Sequence, residues 1–318
     1  MTAVLAYLKE PELSAFAVER LATLFPDVTV HKADNLADAE AVIGDVELLV
    51  TIGPALGADA GALFRAARKL RWVQTIGTGT DNIFGHPDLP AHVAVTNVRG
   101  VHGAQMSEAA IAAMLSLARD LPRVIASQRD RRWDRFAPRL LAGSTVGIVG
   151  TGAIAGALAP RCKALGMTVV GVSANPRAMP DFDRVEPRAD LLRVAGELDW
   201  LVLLTPYSAD THHLVGADLL SAMKPTACLV NLARGGVVDE DAALEALDAG
   251  WIAGAALDVF AHEPLGHDSR FWNHPRVIVT PHLGGLHAGY ADEVLALIID
   301  NVRRFRDGGA DALANRVN

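Results

Sequence analysis

Thr145-Val-Gly147-Ile-Val-Gly150-Thr-Gly152-Ala153-Ile154-Ala155-Gly156 is the stretch from which the fold of this chain can be read. Residues 145–150 form a short apolar run that suits a buried strand. Residues 152–165 carry a helical pattern, so the glycines fall on a strand-to-helix turn. The spacing is G-x-G-x-x-A. Gly150 permits the tight turn, Gly152 lets backbone approach a pyrophosphate, and the small Ala155 allows the helix to pack closely on the strand. The first N–H groups of that helix form an anion site, which makes Gly150, Gly152, Ala153 and Ile154 candidate dinucleotide contacts.

Outward from this turn the same alternation recurs. Apolar runs at 168–173, 199–205, 227–233, 254–260 and 277–281 give six strand candidates in all, spaced as βα units require. Before it, runs at 3–8, 46–52, 71–76 and 93–98 alternate with helical patterns at 13–25 and 59–68, which predicts a first parallel α/β unit. Long helices are expected at 104–121 and 288–305, linking the two units. The expectation is an α/β chain of two Rossmann-like or flavodoxin-like domains with doubly wound parallel sheets and a deep cleft between them. Residues 99–284 would form the dinucleotide-binding domain; 1–98 with 285–318 would form a discontinuous substrate domain.

Composition narrows the function classes. The 318 residues carry 29 Lys+Arg against 37 Asp+Glu, a net charge of −8, which argues against a general nucleic-acid or anionic-membrane binder. Cys162 and Cys228 form no CxxC pair, so neither a disulfide framework nor a cysteine metal site is indicated, and a reducing cytoplasm fits. Lys9 and Glu10 interrupt any signal-like apolar core, and no later apolar run is long enough to span a membrane. His262 and His267 flank Glu263 in a way that superficially suggests a zinc-protease motif. Their spacing of five and the intervening Pro264 exclude the required helix, so no metal is expected.

The end of the second strand in the dinucleotide unit decides cofactor preference. An acidic residue there would hydrogen-bond the ribose 2′-hydroxyl of NAD. This chain has Ser173, followed by Ala174-Asn175-Pro176-Arg177. Ser173, Asn175 and Arg177 are therefore expected to receive a 2′-phosphate, with NADP(H) preferred and NAD(H) possible.

Three further segments end strand candidates where open α/β sheets bind ligands: Asn231-Leu-Ala233-Arg234-Gly235-Gly236, Asp258-Val-Phe260-Ala-His-Glu263-Pro264, and Thr280-Pro281-His282-Leu-Gly284-Gly285. With the glycine turn, and with Gly77-Thr78-Gly79-Thr-Asp81-Asn82, Ser107-Glu108, Thr205-Pro206 and Met223-Lys224-Pro225, the sequence resembles the D-isomer-specific 2-hydroxyacid dehydrogenase family across nearly its whole length. Two positions depart from the common family pattern. Ala109 stands where many members carry His, and Ser173 replaces the ribose-binding acid.

The resemblance implies reduction of small 2-keto acids, glyoxylate or hydroxypyruvate foremost, to D-2-hydroxy acids. Arg234 would hold the carboxylate and carbonyl oxygens together, His282 would act as general acid and base, and Glu263 would orient the imidazole and favour its charged form. Thr205, Pro206, Ala233 and Asp258 would complete the cofactor site, with Asp258 facing the nicotinamide carboxamide. Inside an apolar run Asp258 needs a partner, since an unpaired buried carboxylate is costly. Gly77, Thr78 and Gly79 would cradle the substrate carboxylate through their N–H groups. The partners implied are a small keto or hydroxy acid and a second copy of the chain, with helix 104–121 contributing apolar surface. A formate dehydrogenase would carry Gln at Glu263. A dinucleotide-sensing corepressor or scaffold on the same fold remains the alternative from another class, as does a dehydrogenase for a bulkier keto acid. The arginine-rich stretch 129–139 reads as a solvated loop or as an attractor of anionic substrates around Trp133.

Overall fold

The computed structural model describes residues 1–8 and 11–317. It divides into two compact units, one of Met1–Val101 with His287–Asn318 and one of His102–Leu286. Both are built on parallel sheets covered by helices. The near-continuous apolar strands require this, because each is buried on both faces.

The first unit contains β1 (Ala3–Tyr7), β2 (Thr29–Ala33), β3 (Leu48–Thr51), β4 (Trp72–Thr75) and β5 (Ala94–Thr96), in the order β2-β1-β3-β4-β5. The second contains β6 (Thr145–Val149), β7 (Thr168–Ser173), β8 (Arg184–Pro187), β9 (Trp200–Leu203), β10 (Cys228–Asn231), β11 (Gly254–Leu257) and β12 (Val277–Val279), in the order β12-β11-β10-β9-β6-β7-β8. Every ladder pair named among these strands is parallel. In the second unit the chain moves from β6 outward to β8, then crosses back and continues from β9 to β12. The topological switch therefore lies between β6 and β9, and Gly150 leaves β6 at that point.

Two strands lack the apolar run that marks the others. β2 is Thr-Val-His-Lys-Ala and β8 is Arg-Val-Glu-Pro, and both lie at sheet edges. An edge strand has one neighbour and incomplete cover, so it tolerates polar residues and lacks the signal of a central strand. Arg184 on β8 pairs with Glu186 at 3.0 Å and also with Glu197. Each of the long helices falls within a single unit: Gly103–Ala118 in the second, and Tyr290–Gly308 in the first.

The C-terminal segment is tied into the first unit by buried polar groups. Trp72 Nε1 donates to Thr96 Oγ1 at 2.6 Å, and Thr96 Oγ1 donates to Gln74 Oε1 at 2.7 Å. Gln74 Oε1 also accepts from Asn301 Nδ2 at 3.0 Å. Asn301 in turn bonds both backbone groups of Ala314, its Oδ1 accepting at 2.8 Å and its Nδ2 donating at 3.2 Å. A buried amide serving three partners leaves unsatisfied groups when removed, each costing about 1–3 kcal/mol. Asn301→Ala is expected to lower the stability of this unit by about 3 kcal/mol. Calorimetry checks this, and an unchanged melting temperature would contradict the role given to the network.

Candidate active site

At the switch point Gly150 has φ +96°, and a Cβ there would lie 2.7 Å from Thr205 N and 2.8 Å from Leu204 C and O. Both backbone conformation and the close passage of the chain after β9 demand glycine. Around Gly152 the space is open, with no atom within 4 Å of a built Cβ. Gly152 caps the twelve-residue helix Ala153–Ala164, whose first turn carries no acidic side chain. Ala153 is exposed, Ile154 half-buried and Ala155 buried against the sheet. Orphan N–H groups, open approach and no opposing carboxylate fit the pyrophosphate of a dinucleotide. Thr205 is buried, and Pro206 O accepts from Thr211 Oγ1 at 2.8 Å, fixing the chain beside Gly150.

At the end of β7, Ser173 Oγ accepts from Asn175 N at 3.2 Å, which closes the turn and leaves the hydroxyl proton available to another acceptor. Asn175 and Arg177 are exposed. Ser173 is in register with Pro187 on β8, so Arg188 begins next to the Ser173 turn. Its guanidinium reaches Asp210 at 3.3 Å. This second cation is not evident from the sequence, because no motif marks β8.

The other three segments converge after β10, β11 and β12. A Cβ on Gly235 would overlap the backbone of Phe260 and Ala261, at 1.8 Å from Phe260 C and 2.1 Å from Ala261 N. Only glycine lets the loop after β10 lie on the loop after β11 at this distance. Asn231 is buried and shapes the first loop, accepting from Ala233 N at 3.0 Å and donating to Arg234 O at 3.1 Å. Buried Ala233 offers its carbonyl to Arg234 Nη1 at 2.7 Å. On the facing loop Glu263 Oε1 accepts from Phe260 N at 3.0 Å, and its Oε2 meets His282 Nδ1 at 2.8 Å. Burial pushes the Glu263 carboxyl up. The His282 hydrogen bond, the Phe260 N–H and the charges of His282 and Arg234 outweigh it and leave the group below its ordinary value. Glu263 is therefore a carboxylate throughout the neutral range. Its depressed value contributes stability that is present above the ordinary carboxylate range and lost as pH falls through that range.

His282 has φ +54°, a left-handed conformation that costs about 1–3 kcal/mol for a residue with a side chain. Asp258 holds it there. This carboxylate is 3% exposed; its Oδ1 accepts from Thr280 Oγ1 and from Leu283 N at 2.9 Å, and its Oδ2 from Gly284 N at 2.8 Å. His282 N donates back to Asp258 O at 2.8 Å. The partner that Asp258 requires is thus the His282 loop itself. Two carboxylate oxygens offer about four acceptor positions, so capacity remains for one further donor.

The structure brings Arg234, Glu263, His282, Asp258, Ala233 and the glycine turn to the carboxyl edge of one sheet. Gly77, Thr78 and Gly79 lie in the first unit, half-buried in the turn that leaves β4. Within the arginine-rich stretch, Asp134 is gripped by Arg123 at 2.7 and 2.9 Å. Arg139 donates to Thr226 O and to Cys228 Sγ, while Trp133 stands 91% exposed between these anchors. Among the described residues no group of three His, Cys, Asp or Glu side chains could hold a metal ion, and no helix is long and apolar enough to cross a membrane.

Comparison with known proteins agrees with this arrangement. The sequence profile of the D-isomer specific 2-hydroxyacid dehydrogenase NAD binding domain matches residues 111–284. A glyoxylate reductase of Thermococcus gammatolerans is 35% identical over 260 residues, covering 78% of this chain and 77% of the relative. A D-isomer specific 2-hydroxyacid dehydrogenase family protein from Aeromonas salmonicida superposes with a TM-score of 0.86 at 34% identity, over 100% of this chain and 99% of the other. The NADPH-dependent glyoxylate/hydroxypyruvate reductase of Sinorhizobium meliloti, solved with NADP and sulfate, gives 0.85 at 29% identity, over 100% and 98%. This chain belongs to the D-isomer-specific 2-hydroxyacid dehydrogenase family, a family of oxidoreductases that use a nicotinamide dinucleotide.

The Gly235 contact yields a direct check. Gly235→Ala forces the loops after β10 and β11 apart, and overpacking of this kind costs about 1–3 kcal/mol or more. The variant is expected to melt lower than the parent protein and to lose turnover even where it is folded. Unchanged melting and turnover would show that the close approach is dispensable.

Proposed function

We propose that the chain reduces small 2-keto acids, glyoxylate and hydroxypyruvate foremost, to D-2-hydroxy acids with NADPH as the preferred reductant. The observation that carries the reading is the 2.8 Å contact between His282 Nδ1 and Glu263 Oε2, made on the loop that Asp258 holds and next to the Arg234 segment. With Nδ1 engaged, Nε2 is the nitrogen left to pass a proton to substrate oxygen. Arg234 supplies a planar guanidinium for carboxylate and carbonyl oxygens, and Gly77, Thr78 and Gly79 supply N–H groups for the carboxylate. A nicotinamide dinucleotide held at the Gly150 turn would supply the hydride. As the carbonyl carbon accepts it, negative charge grows on oxygen, and His282 neutralises that charge by donating its Nε2 proton. Glu263 keeps the imidazole oriented and balances its charge beforehand.

The test is turnover with a panel of keto acids and chiral analysis of the product. D-glycerate from hydroxypyruvate is expected, and an L product would overturn the reading. His282→Asn should retain cofactor binding while turnover falls roughly 10²–10⁴-fold, and an undiminished kcat would remove His282 from the mechanism.

NADPH preference rests on Ser173, Asn175 and Arg177. Arg177 makes no hydrogen bond or ion pair among the described residues, and its exposed guanidinium is available to a 2′-phosphate. One charge-assisted contact contributes about 1.5–3 kcal/mol, or roughly 10- to 150-fold in affinity. The named Sinorhizobium relative is described as NADPH-dependent, which supports the same preference. A higher kcat/KM for NADPH than for NADH is expected, reduced in Arg177→Ala. Preference for NADH would refute the assignment, and a preference untouched by the substitution would refute its cause.

We also propose a homodimer in a reducing cytoplasm. Leu115, Leu121, Val124, Ile125, Trp133 and Leu140 are exposed apolar side chains of the second unit that a second copy would cover. Both cysteines are free and buried. Light scattering is expected to give twice the chain mass of 33.6 kDa, and the single mass would contradict the dimer.

A further inference from the structure

We propose that Asn97 is the positioning residue of the Gly77–Thr78–Gly79 turn, and that the C-terminal Asn315 braces it. The proposal rests on the reading that this turn receives the substrate carboxylate.

The carbonyl groups of Gly77 and Thr78 are both held by hydrogen bonds. Gly77 O accepts from Thr75 Oγ1 at 2.6 Å and from Val98 N at 3.3 Å. Thr78 O accepts from Asn97 Nδ2 at 3.0 Å. In a trans peptide the N–H points opposite to the C=O of the same plane. Holding Gly77 O and Thr78 O back toward β4 and β5 therefore turns the N–H groups of Thr78 and Gly79 the other way. Neither N–H finds a partner among the described residues. Two successive outward N–H groups make an anion-binding concavity. The space above is open, since a Cβ on Gly77 would meet only Gly79 N, at 3.9 Å.

Thr75 and Val98 fix the first peptide plane. The second depends on Asn97 alone among the contacts of Thr78 O. The Asn97 side chain is itself fixed, because its Oδ1 accepts from Arg99 N at 3.1 Å, which leaves Nδ2 aimed at Thr78. Its backbone is fixed as well. Asn97 N donates to Asn315 O at 3.2 Å, and Asn315 Nδ2 donates to Arg99 O at 2.9 Å. The terminal segment runs antiparallel to β5, with Thr96 opposite Arg316 and Val317 N donating to Val95 O at 2.8 Å. Asn315 adopts φ +55°, a conformation that Asn tolerates better than most residues. A segment more than 200 residues away in sequence thus sets the orientation of one peptide in the carboxylate turn.

The experiment compares wild type, Asn97→Ala, Asn97→Asp and Asn315→Gly by KM for glyoxylate, kcat, NADPH affinity and oxamate binding by calorimetry. Asn97→Ala is expected to raise KM and weaken oxamate binding about 10-fold, the upper end for one neutral hydrogen bond, with a smaller fall in kcat. NADPH affinity should stay within about two-fold, since the dinucleotide residues lie in the other unit. Asn97→Asp keeps the acceptor for Arg99 N but loses the donor to Thr78 O, and should impair KM at least as much as Ala. Asn315→Gly keeps the backbone conformation and removes only the Arg99 contact, so a rise of about 3-fold is expected. It also keeps the test decisive if Asn97→Ala does not fold. A merely structural Asn97 would lower the melting temperature and active fraction while leaving KM and oxamate affinity as in wild type, and that result would overturn the inference. A wild type that binds oxamate but reduces no keto acid would overturn the proposed function alone. A wild type that binds no oxamate would overturn the carboxylate turn and Asn97's role together.

Discussion

The hydrogen bond between His282 and Glu263 joins the loops after β11 and β12, and the absent side chain of Gly235 lets the Arg234 loop lie directly on the first of these. At 1.8 Å from Phe260 C there is no room for a methyl group, so the Arg234 loop rests on backbone. Glu263 is tied into its own loop by Phe260 N, and Asp258 ties down the loop that carries His282. Arg234, Glu263 and His282, the side chains proposed to act on substrate, are thereby supported by groups that are themselves satisfied. Preorganisation of this kind lets charged groups act without rearrangement when charge develops on the substrate.

Asp258 illustrates how burial and function combine. A carboxylate in an apolar run is tolerated because two backbone N–H groups and a hydroxyl neutralise its burial. The same donors hold His282 in a left-handed conformation that it would not keep by itself. The burial of Asp258 and the geometry of the His282 loop are one feature of the structure.

Much of this was legible in the sequence. The turn around Gly150 identified the central strand and the helix after it, because two glycines at that spacing between a strand and a helix seldom serve anything but a dinucleotide turn. Long apolar runs located the covered strands. What the sequence concealed depends on partners distant along the chain. β2 and β8 are polar edge strands, Arg188 comes beside Ser173 only through the pairing of β7 with β8, and Asn97 reaches Thr78 O only across the β4–β5 edge. The role of Gly235 was also hidden. Nothing local separates a glycine in a free turn from one packed on another backbone.

The Glu263 carboxylate lies against the His282 imidazole, and neutralising that carboxylate tests the proposed pairing most directly. In the proposed mechanism this carboxylate orients the ring and offsets the positive charge that His282 carries before it gives up a proton. The decisive comparison is kcat for hydroxypyruvate reduction at neutral pH, beside NADPH affinity, in wild type and Glu263→Gln. Turnover is predicted to fall at least about 10-fold in Glu263→Gln, the effect of losing one charge-assisted hydrogen bond, while NADPH affinity is unchanged. An undiminished kcat in Glu263→Gln would contradict the role given to Glu263.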